Sequence, residues 1–424
     1  MDSTSTARTD RATWRTRGRT VVLAAALTVG ALPAGTAVAG GPSTLVVHPG
    51  ESIQAAVDRA SSGDTIKIAA GTYQEAVCVE GKGLNIVGVG PNTTVITWPE
   101  WGQGAPPPEV EPNACWTAHD AADAEGDPGT LADDVSGIFF LNPDSPVSVS
   151  KVGTRNHPAS GIVAWGADGV TVTATSGIGH ERYGVVAADS TNITITGNVE
   201  RGVDRGAPWY SGTSGISIGD SDGANARITA NYVEGYNLGI FFRESRGATI
   251  TTNMLTGNCV GVLVFDDAVT EIPDNTRQVQ GGDVTIEANA SIANNRYCIA
   301  GRDGTQLVSG VGMSITNADS VRVVGNLITG NRPVVPAGQE PVNYQPGGLT
   351  LVSFAPPPGT LPPGVTGPGL VENIEVRSNR ILGNAPVDVW VTRPIPNTLL
   401  LEAGPGITFR GNNCGVSDPA GICG

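Results

Sequence analysis

The sequence predicts an all-β fold, a right-handed parallel β-helix solenoid with a short α-helix capping its N-terminal end. Strand-like runs recur about every 22 residues, and apolar and polar residues alternate within them with a period of two. The 58 Gly and 30 Pro separate short runs rich in Ile, Val and Thr, while only 15% of the 424 residues are charged. Because each turn of a solenoid packs only against its neighbours, a chain of this length can form one elongated core.

One recurring pattern is apolar-x-apolar-x-x-Asn, as in residues 193–198. Successive rungs of a solenoid lie roughly 4.8 Å apart, so equivalent Asn side chains would stack and join their amides in a ladder. These Asn residues are therefore assigned a structural role, and the apolar pairs beside them are assigned to the core. The predicted ladder contains Asn198, Asn231, Asn253, Asn289, Asn326, Asn379 and Asn412, with Thr175 in the same place of an earlier copy.

A second pattern, Gly-apolar-x-apolar, alternates with the first. Its shortest spacings are 22 and 23 residues, and the longer spacings contain loop insertions. A leucine-rich repeat has a similar period and an Asn ladder, but it requires Leu-x-x-Leu-x-Leu spacing and a helical half, which these copies lack. The copies begin at Gly161, Gly184, Gly215, Gly239, Gly261, Gly312 and Gly348.

The segment before the repeats predicts one short amphipathic helix, which the turn-forming residues 61–64 would end. Its apolar face would consist of Ile53, Ala56, Val57 and Ala60. Because the end rung of a solenoid exposes core and backbone, this helix is predicted to be the lid.

Part of the sequence resembles the pectate-lyase-like β-helix superfamily. The resemblance rests on residues 52–57, 71–75 and 84–90. Repeats such as residues 192–198 extend it over roughly residues 43–415. The resemblance implies the β-helix fold and a role with carbohydrates, since members include pectate lyases, pectin methylesterases, polygalacturonases and uronate epimerases, besides proteins with no known activity. Signature motifs of the latter three enzyme families are absent, so no particular family is implied.

Residues 1–39 are predicted to be an export signal. Five Arg precede an apolar run over residues 21–32, and residues 37–39 (Ala-Val-Ala) fit a cleavage site. The run is too short to span a bilayer, so a secreted protein without membrane insertion is expected. Removing this segment takes away five Arg and two Asp, which changes the formal net charge from −15 to −18. Such a charge argues against nucleic acid as a partner, and a capped solenoid is expected to be a monomer.

The mature chain is divided into three parts. Residues 40–98 would form the cap helix and the first rungs, residues 99–136 an acidic insertion, and residues 137–424 the repeats with a disulfide-tied tail. The acidic insertion lacks the EF-hand pattern and is predicted to be a solvated flexible loop, with weak calcium binding as the alternative.

All six Cys lie in the mature part, and an even number of Cys in an exported chain predicts disulfides. Six Cys allow 15 pairings on sequence alone, but their positions favour three pairs. The predicted pairs are Cys78 with Cys115, Cys259 with Cys298 across neighbouring rungs, and Cys414 with Cys423 in the tail.

The Gly-apolar strands place a carboxylate five residues after each of four successive glycines. These carboxylates belong to Asp189, Asp220, Glu244 and Asp266. At rung spacing, neighbouring like charges repel by roughly 0.9 kcal/mol in water and about 3.5 kcal/mol at an effective dielectric of 20. A column of four therefore requires a cation, a guanidinium or a proton.

Three interpretations of this column stay open. The first is a calcium site, in which the ligands would be Asp189, Asp220, Glu244 and Asp266. The second is a catalytic centre for cleavage of a polysaccharide. Its groups would be Asp220, Arg243, Glu244, Asp266 and the adjacent Asp267. The third is that Asp is simply a good turn residue at the end of a strand.

Aromatic residues and His180 cluster upstream of the same strands. The candidate substrate-binding residues are His180, Trp209, Tyr210, Tyr236 and Phe241. Aromatic faces beside carboxylates suit a groove for sugars, whereas the alternative is that these rings pack inserted loops onto the solenoid wall.

These features predict a protein that acts on or binds a polysaccharide. The candidate activities are those of a lyase or a glycoside hydrolase of uronic-acid polymers, with calcium as the candidate cofactor. The alternative is a non-catalytic extracellular binding or scaffold protein, and analogy of fold alone does not decide between the two.

Overall fold

The computed structural model describes residues 41–102, 105–123, 130–205, 212–266, 280–300, 306–356, 367–396 and 398–423. The predicted export signal lies outside the described residues. Three long sheets run along the described chain, one of twelve strands and two of eleven, and every pairing within them is parallel. The chain passes from the first sheet to the second, to the third and back to the first, so each circuit makes one rung of the predicted solenoid.

The strand bounds, in order along each sheet, are as follows. The first sheet contains Thr44–Val47, Thr65–Ile68, Asn85–Val87, Val147–Ser150, Asp168–Thr173, Thr191–Thr196, Ala226–Thr229, Arg246–Thr251, Gly282–Glu287, Asp319–Val324, Glu375–Arg377 and Thr408–Arg410. The second contains Gly71–Gln74, Thr94–Thr97, Gly153–Arg155, Ser176–Ile178, Val199–Arg201, Tyr232–Glu234, Met254–Thr256, Ala290–Ile292, Leu327–Thr329, Arg380–Leu382 and Asn413–Cys414. The third contains Val77–Glu80, Ile138–Leu141, Ile162–Trp165, Tyr183–Ala188, Ser214–Gly219, Leu238–Arg243, Val260–Phe265, Val311–Thr316, Gly347–Val352, Val389–Val391 and Ser417–Asp418.

Few other elements occur among the described residues. The predicted N-terminal helix spans Ile53–Arg59, and the side chain of its N-cap, Ser52, accepts a hydrogen bond from the Ala55 N–H. A second helix spans Ala114–Asp123, a 3-10 turn spans Leu131–Asp134, and an antiparallel hairpin joins Cys298–Ala300 to Gln306–Val308. All four residues of the predicted apolar helix face are buried, which confirms that this face packs on the core.

The core is a stack of equivalent side chains. In the first sheet the register places Ile195, Ile228 and Ile250 on one another, and all three are fully buried. Burying one such side chain contributes about 1.5–3 kcal/mol. Since the same position carries Ile or Val in rung after rung, the repeated sequence pattern is what sets the register of the sheet.

The predicted Asn ladder is present at the turn between the first and second sheets. The Asn253 carboxamide oxygen accepts hydrogen bonds from the backbone N–H of Asn231, at 3.0 Å, and from its side-chain amide, at 2.9 Å. Asn253 in turn donates its side-chain amide to the Ile228 carbonyl and to the Asn289 carboxamide oxygen, both at 2.9 Å. The pattern continues to Asn412 at one end, and at the other end Thr175 donates its hydroxyl and backbone N–H to Asn198, as expected for a residue in the Asn place.

A second Asn ladder, which the sequence analysis missed, lies at the turn between the second and third sheets. It contains Asn258, Asn294, Asn331 and Asn384, and it ends on the Asp388 carboxylate. The sequence signal was an Asn two residues after each of four successive strands of the second sheet. In the next rung towards the N terminus, Tyr236 takes this place and donates its backbone N–H to Asn258 at 3.0 Å.

The acidic insertion differs from the solvated loop that was predicted. Its helix Ala114–Asp123 packs on the outer face of the third sheet, where Cys115 and Trp116 are buried. Asp134 is buried too, with the Arg182 guanidinium 3.3 Å from its carboxylate. The acidic composition of the segment gave no indication that one face of this helix is apolar. The insertion covers the first rungs of the third sheet.

The six Cys form the three predicted pairs, Cys78–Cys115, Cys259–Cys298 and Cys414–Cys423. The first pins the helix of the acidic insertion to the third sheet. The second differs in one respect from the expectation, because Cys298 begins the antiparallel hairpin rather than a strand of a rung. Two disulfide-pinned segments thus pack on the outer face of the third sheet. The helix of the acidic insertion lies towards its N-terminal end, and the hairpin that begins at Cys298 lies further along the solenoid.

Candidate functional site

The predicted carboxylate column exists at the end of the third sheet. Its strands pair Ala188, Gly219, Arg243 and Phe265 in successive rungs. The residue after each is the predicted acid, so Asp189, Asp220, Glu244 and Asp266 occupy one position of four adjacent turns. The sequence spacing of five residues was therefore sufficient to find the column.

Backbone conformation explains why this position selects short polar residues. Asp189, Asp220 and Glu244 have φ values of 46°, 50° and 47°, in the left-handed region. Asn142 and Asn317 occupy the same position in other rungs with similar φ values. Asp and Asn tolerate this conformation better than most residues, so turn chemistry accounts for their presence here. Glu is not among the favoured residues, which makes Glu244 the exception in the column.

Arg243 connects two of the carboxylates. Its guanidinium lies 2.8 Å from Glu244 Oε1 and 3.5 Å from Asp220 Oδ1. The Glu244 side chain is 1% exposed, whereas that of Asp220 is 47% exposed. The arginine therefore holds one buried and one exposed carboxylate, and with Asp189 this cluster has three acids and one base.

Asp189 lies one rung before Asp220. Partial loss of water around its carboxyl group, and then the negative charge of Asp220, raise its pKa. Asp189 and the Arg243-paired Asp220 are thus neighbouring carboxyl groups in different electrostatic environments.

Asp266 has a structural contact. Its carboxylate is buried and accepts a hydrogen bond from the Gly281 N–H. Gly281 directly precedes the strand Gly282–Glu287, so this bond joins the two ends of the insertion between Asp266 and that strand. Asp267, Trp209 and Tyr210, which were predicted to be part of the site, lie outside the described residues.

Within the residues that the structure describes, no three His, Cys, Asp or Glu side chains are arranged to hold a metal ion. The four predicted calcium ligands stack along the column instead of converging on one point. Calcium binding stays a prediction.

One row of outward positions on the third sheet, beside the column, carries small residues between large ones, and this row is here called the central cleft. Its floor is formed by Ala188 and Gly219, and its ends by the larger side chains of Trp165 and Arg243 at the same register position. A Cβ added to Gly219 would meet no described atom within 4 Å. Three rung steps separate Trp165 from Arg243, a distance of about 14 Å.

Aromatic rings lie at both ends of the central cleft. Trp165 stacks on Phe139 with ring centroids 6.1 Å apart and planes 5° from parallel. At the other end, Phe241 on the strand of Arg243 and Phe265 on the next rung have ring centroids 6.3 Å apart, and Phe265 stacks on Phe354 with centroids 6.0 Å apart. Phe241, one of the predicted substrate-binding residues, therefore lies next to the cleft.

The predicted substrate-binding residues His180 and Tyr236 lie elsewhere. Both are buried at the corner between the second and third sheets, 1% and 0% exposed. His180 Nε2 is 3.0 Å from the Thr154 hydroxyl, and its ring stacks on His157 at 5.5 Å. Burial lowers the pKa of both imidazoles, that of His157 to about 4. The structure thus places these side chains inside the wall, away from the cleft.

Glu200, near this corner, is a buried acid that the sequence analysis did not single out. It points into the solenoid at the position where the next rung carries Val233. A Cβ at Gly177 or Gly184 would overlap its carboxyl group, so these two glycines make room for it. Burial raises the pKa of Glu200 to about 8, and the nearby Arg155 opposes the shift. The sequence signal that could have identified it is that Glu200 interrupts the series of apolar residues at inward-facing positions.

The G-x-S-x-G pattern at residues 215–219 lies on the strand Ser214–Gly219, with Ile216 and Ile218 buried in the core. A serine-hydrolase elbow needs a strand-turn-helix junction, which this strand does not form. The pattern therefore belongs to the repeat.

Comparisons with known proteins agree with the fold. A family model described as right handed beta helix region matches residues 148–352. The catalytic domain of a GH87 α-1,3-glucanase in complex with tetrasaccharides aligns at 12% identity and a TM-score of 0.54, over 89% of this chain and 65% of that domain. The chain thus spans less than two thirds of that relative.

Two epimerases align at TM-scores below 0.5. The periplasmic alginate epimerase AlgG has 13% identity and a TM-score of 0.47, over 87% of this chain and 76% of its own. The Azotobacter vinelandii mannuronan C-5 epimerase AlgE6 A-module has 16% identity and a TM-score of 0.46, over 85% and 90%. A search of curated proteins found no match. The chain folds as a right-handed parallel β-helix, as the sequence predicted, and the likeness to the glucanase domain at 12% identity concerns the fold alone.

None of the described helices has both the length and the apolar character needed to cross a bilayer.

Proposed function

We propose that the protein binds a polysaccharide in the central cleft, with the sugar chain lying along the axis of the solenoid. The observation that carries the proposal is the open space over Gly219, which lies next to Ala188 in a row between Trp165 and Arg243. A concave surface with an aromatic ring at one end and fixed polar groups along one side is the usual form of a small-molecule or sugar site. The disulfides and the predicted export signal support an extracellular location.

The charge of the site favours a neutral polymer. Arg243 is already paired with two carboxylates, and Asp189 adds a third acid. A polyuronate would bring further negative charge to a surface that is negative, in a protein whose net charge is negative as well. The proposed ligand is therefore a neutral polysaccharide, in place of the uronic-acid polymer expected from the sequence.

The expected result of filling the cleft is a loss of binding. Gly219 is in extended strand and has open space above it, so Gly219→Trp should fold normally and occupy the floor. Affinity for the preferred polysaccharide should fall at least about tenfold, equivalent to 1.4 kcal/mol. The measurement is a binding screen with glucans, mannan, xylan, alginate and pectate, each with calcium and with chelator.

The matched control is Gly41→Trp. Gly41 also has no described atom near its Cβ position, but it lies at the N-terminal end of the solenoid, far from the cleft. Equal binding by wild type and Gly219→Trp would contradict the proposal, as would preferential binding of alginate or pectate by the wild type.

A second candidate function, glycoside cleavage, is favoured by one observation. Asp189 has a raised pKa beside the Arg243-paired Asp220, and a pair of carboxyl groups in unlike environments suits acid and base roles. If the screen yields new reducing ends, Asp189→Asn should lower the rate by about 10²–10⁴-fold while binding is retained. Asp283→Asn, an exposed change on the first sheet, is the control, and an unchanged rate in Asp189→Asn would exclude Asp189 as the acid.

A further inference from the structure

The two ends of the central cleft differ. At the N-terminal end, Trp165 packs on the buried Phe139, and the helix Ala114–Asp123 covers the preceding rungs through the Cys78–Cys115 disulfide. His119 lies on that helix, and its ring meets the Trp165 ring edge-on, with the two ring centroids 6.5 Å apart. A sugar chain lying in the cleft therefore meets a covered wall at this end.

At the C-terminal end, a row of half-buried rings continues from the cleft. Phe241 and Phe265 lie on successive rungs, and Phe354 follows beyond them. The ring centroids are 6.3 and 6.0 Å apart, and Phe241 pairs with Leu263, two residues before Phe265, so the row runs obliquely across the third sheet towards the C-terminal rungs. On the rung after Phe265, its register partner Thr316 is buried and bonds the Tyr344 hydroxyl at 2.8 Å, so this outward position beside the row is closed.

We infer that Phe241, Phe265 and Phe354 form a second binding surface, here called the aromatic platform, for the same neutral polysaccharide. The inference rests on the proposed function. The apolar faces of sugar rings would lie on the aromatic faces, while Arg243 and Asp220 contact hydroxyl groups at the boundary between cleft and platform. Because the opposite end is covered, the sugar chain extends from the cleft in one direction only, towards the C-terminal rungs.

The one-sided arrangement predicts that affinity depends on chain length. Oligomers of four and eight units, prepared from the neutral polysaccharide that binds best in the screen, are the probes. The longer oligomer should bind wild type at least about tenfold more tightly, the gain expected from one aromatic anchor, and Phe265→Leu should remove this gain. Leu keeps the apolar packing against Phe241 and Phe354 but has no ring face.

Tyr232→Leu is the matched control, because Tyr232 is a half-buried ring on the second sheet, next to Arg201. It should leave both affinities unchanged. If neither oligomer binds wild type, the proposed function itself fails. If both bind with equal affinity, or if Phe265→Leu keeps the length dependence, the central cleft stands and the aromatic platform is overturned.

Discussion

Replacing Asn253 by Ala should lower the free energy of unfolding by about 3–5 kcal/mol. The substitution removes two hydrogen bonds that Asn253 accepts from Asn231 and two that its side chain donates, to the Ile228 carbonyl and to Asn289. Each buried hydrogen bond contributes about 1 kcal/mol net, and donors of Asn231 that are left without an acceptor add a desolvation penalty. The measurement is urea unfolding of wild type and variant.

The control for this substitution is Asn413→Ala, an exposed Asn on a strand of the last rung. Surface changes of this kind alter the free energy of unfolding by less than about 0.5 kcal/mol. A loss at Asn253 no larger than the loss at Asn413 would contradict the view that the ladder holds the turns together.

The second large effect is expected from Glu200→Gln, and it should depend on pH. The folded-state pKa of about 8 lies above the ordinary value of 4.5. Between these values the unfolded chain has lost the proton while the folded protein keeps it, so the stability of the wild type falls as pH rises. Gln has no charge to lose, so the variant should be more stable than wild type by about 4 kcal/mol at pH 8 and equal to it near pH 4.

Urea unfolding at pH 4, 6 and 8 measures this difference. Glu234→Gln is the control, because Glu234 lies on the next rung but is exposed and paired with Arg201. It should change stability little at any of the three pH values. Equal stability of wild type and Glu200→Gln at pH 8 would show that Glu200 ionises normally in the folded protein.

The fold could be predicted because the solenoid repeats one environment many times. A single Ile-x-Ile pair is ambiguous, but Ile193 and Ile195 recur at rung intervals together with Asn198, and each copy supports the others. The same repetition placed four acids in one column. The ladder of Asn258 escaped notice because a Gly-Asn pair between strands is also an ordinary turn, and only its register in the sheets distinguishes the two.

The site could be predicted in part. The spacing located Arg243 and the column but not the burial that separates Glu244 from Asp220, since burial depends on which insertion covers which rung. His180 and Tyr236 were assigned to a surface because aromatic residues near acids suggest a groove, yet both point into a corner of the wall. The central cleft could not be predicted from Gly219 alone. A small residue at this position forms a floor only because larger side chains occupy the same position in nearby rungs, and that register is known only from the structure.

A neutral polysaccharide is proposed to occupy the central cleft. Carbodiimide labelling of carboxyl groups, with and without the best-binding oligosaccharide and read by mass spectrometry, tests this claim directly. Asp189 and Asp220 are exposed beside the cleft, and Glu287 is exposed on the first sheet. Binding should protect Asp189 and Asp220 and leave Glu287 labelled as before. Unchanged labelling of both aspartates under saturating oligosaccharide would contradict the claim.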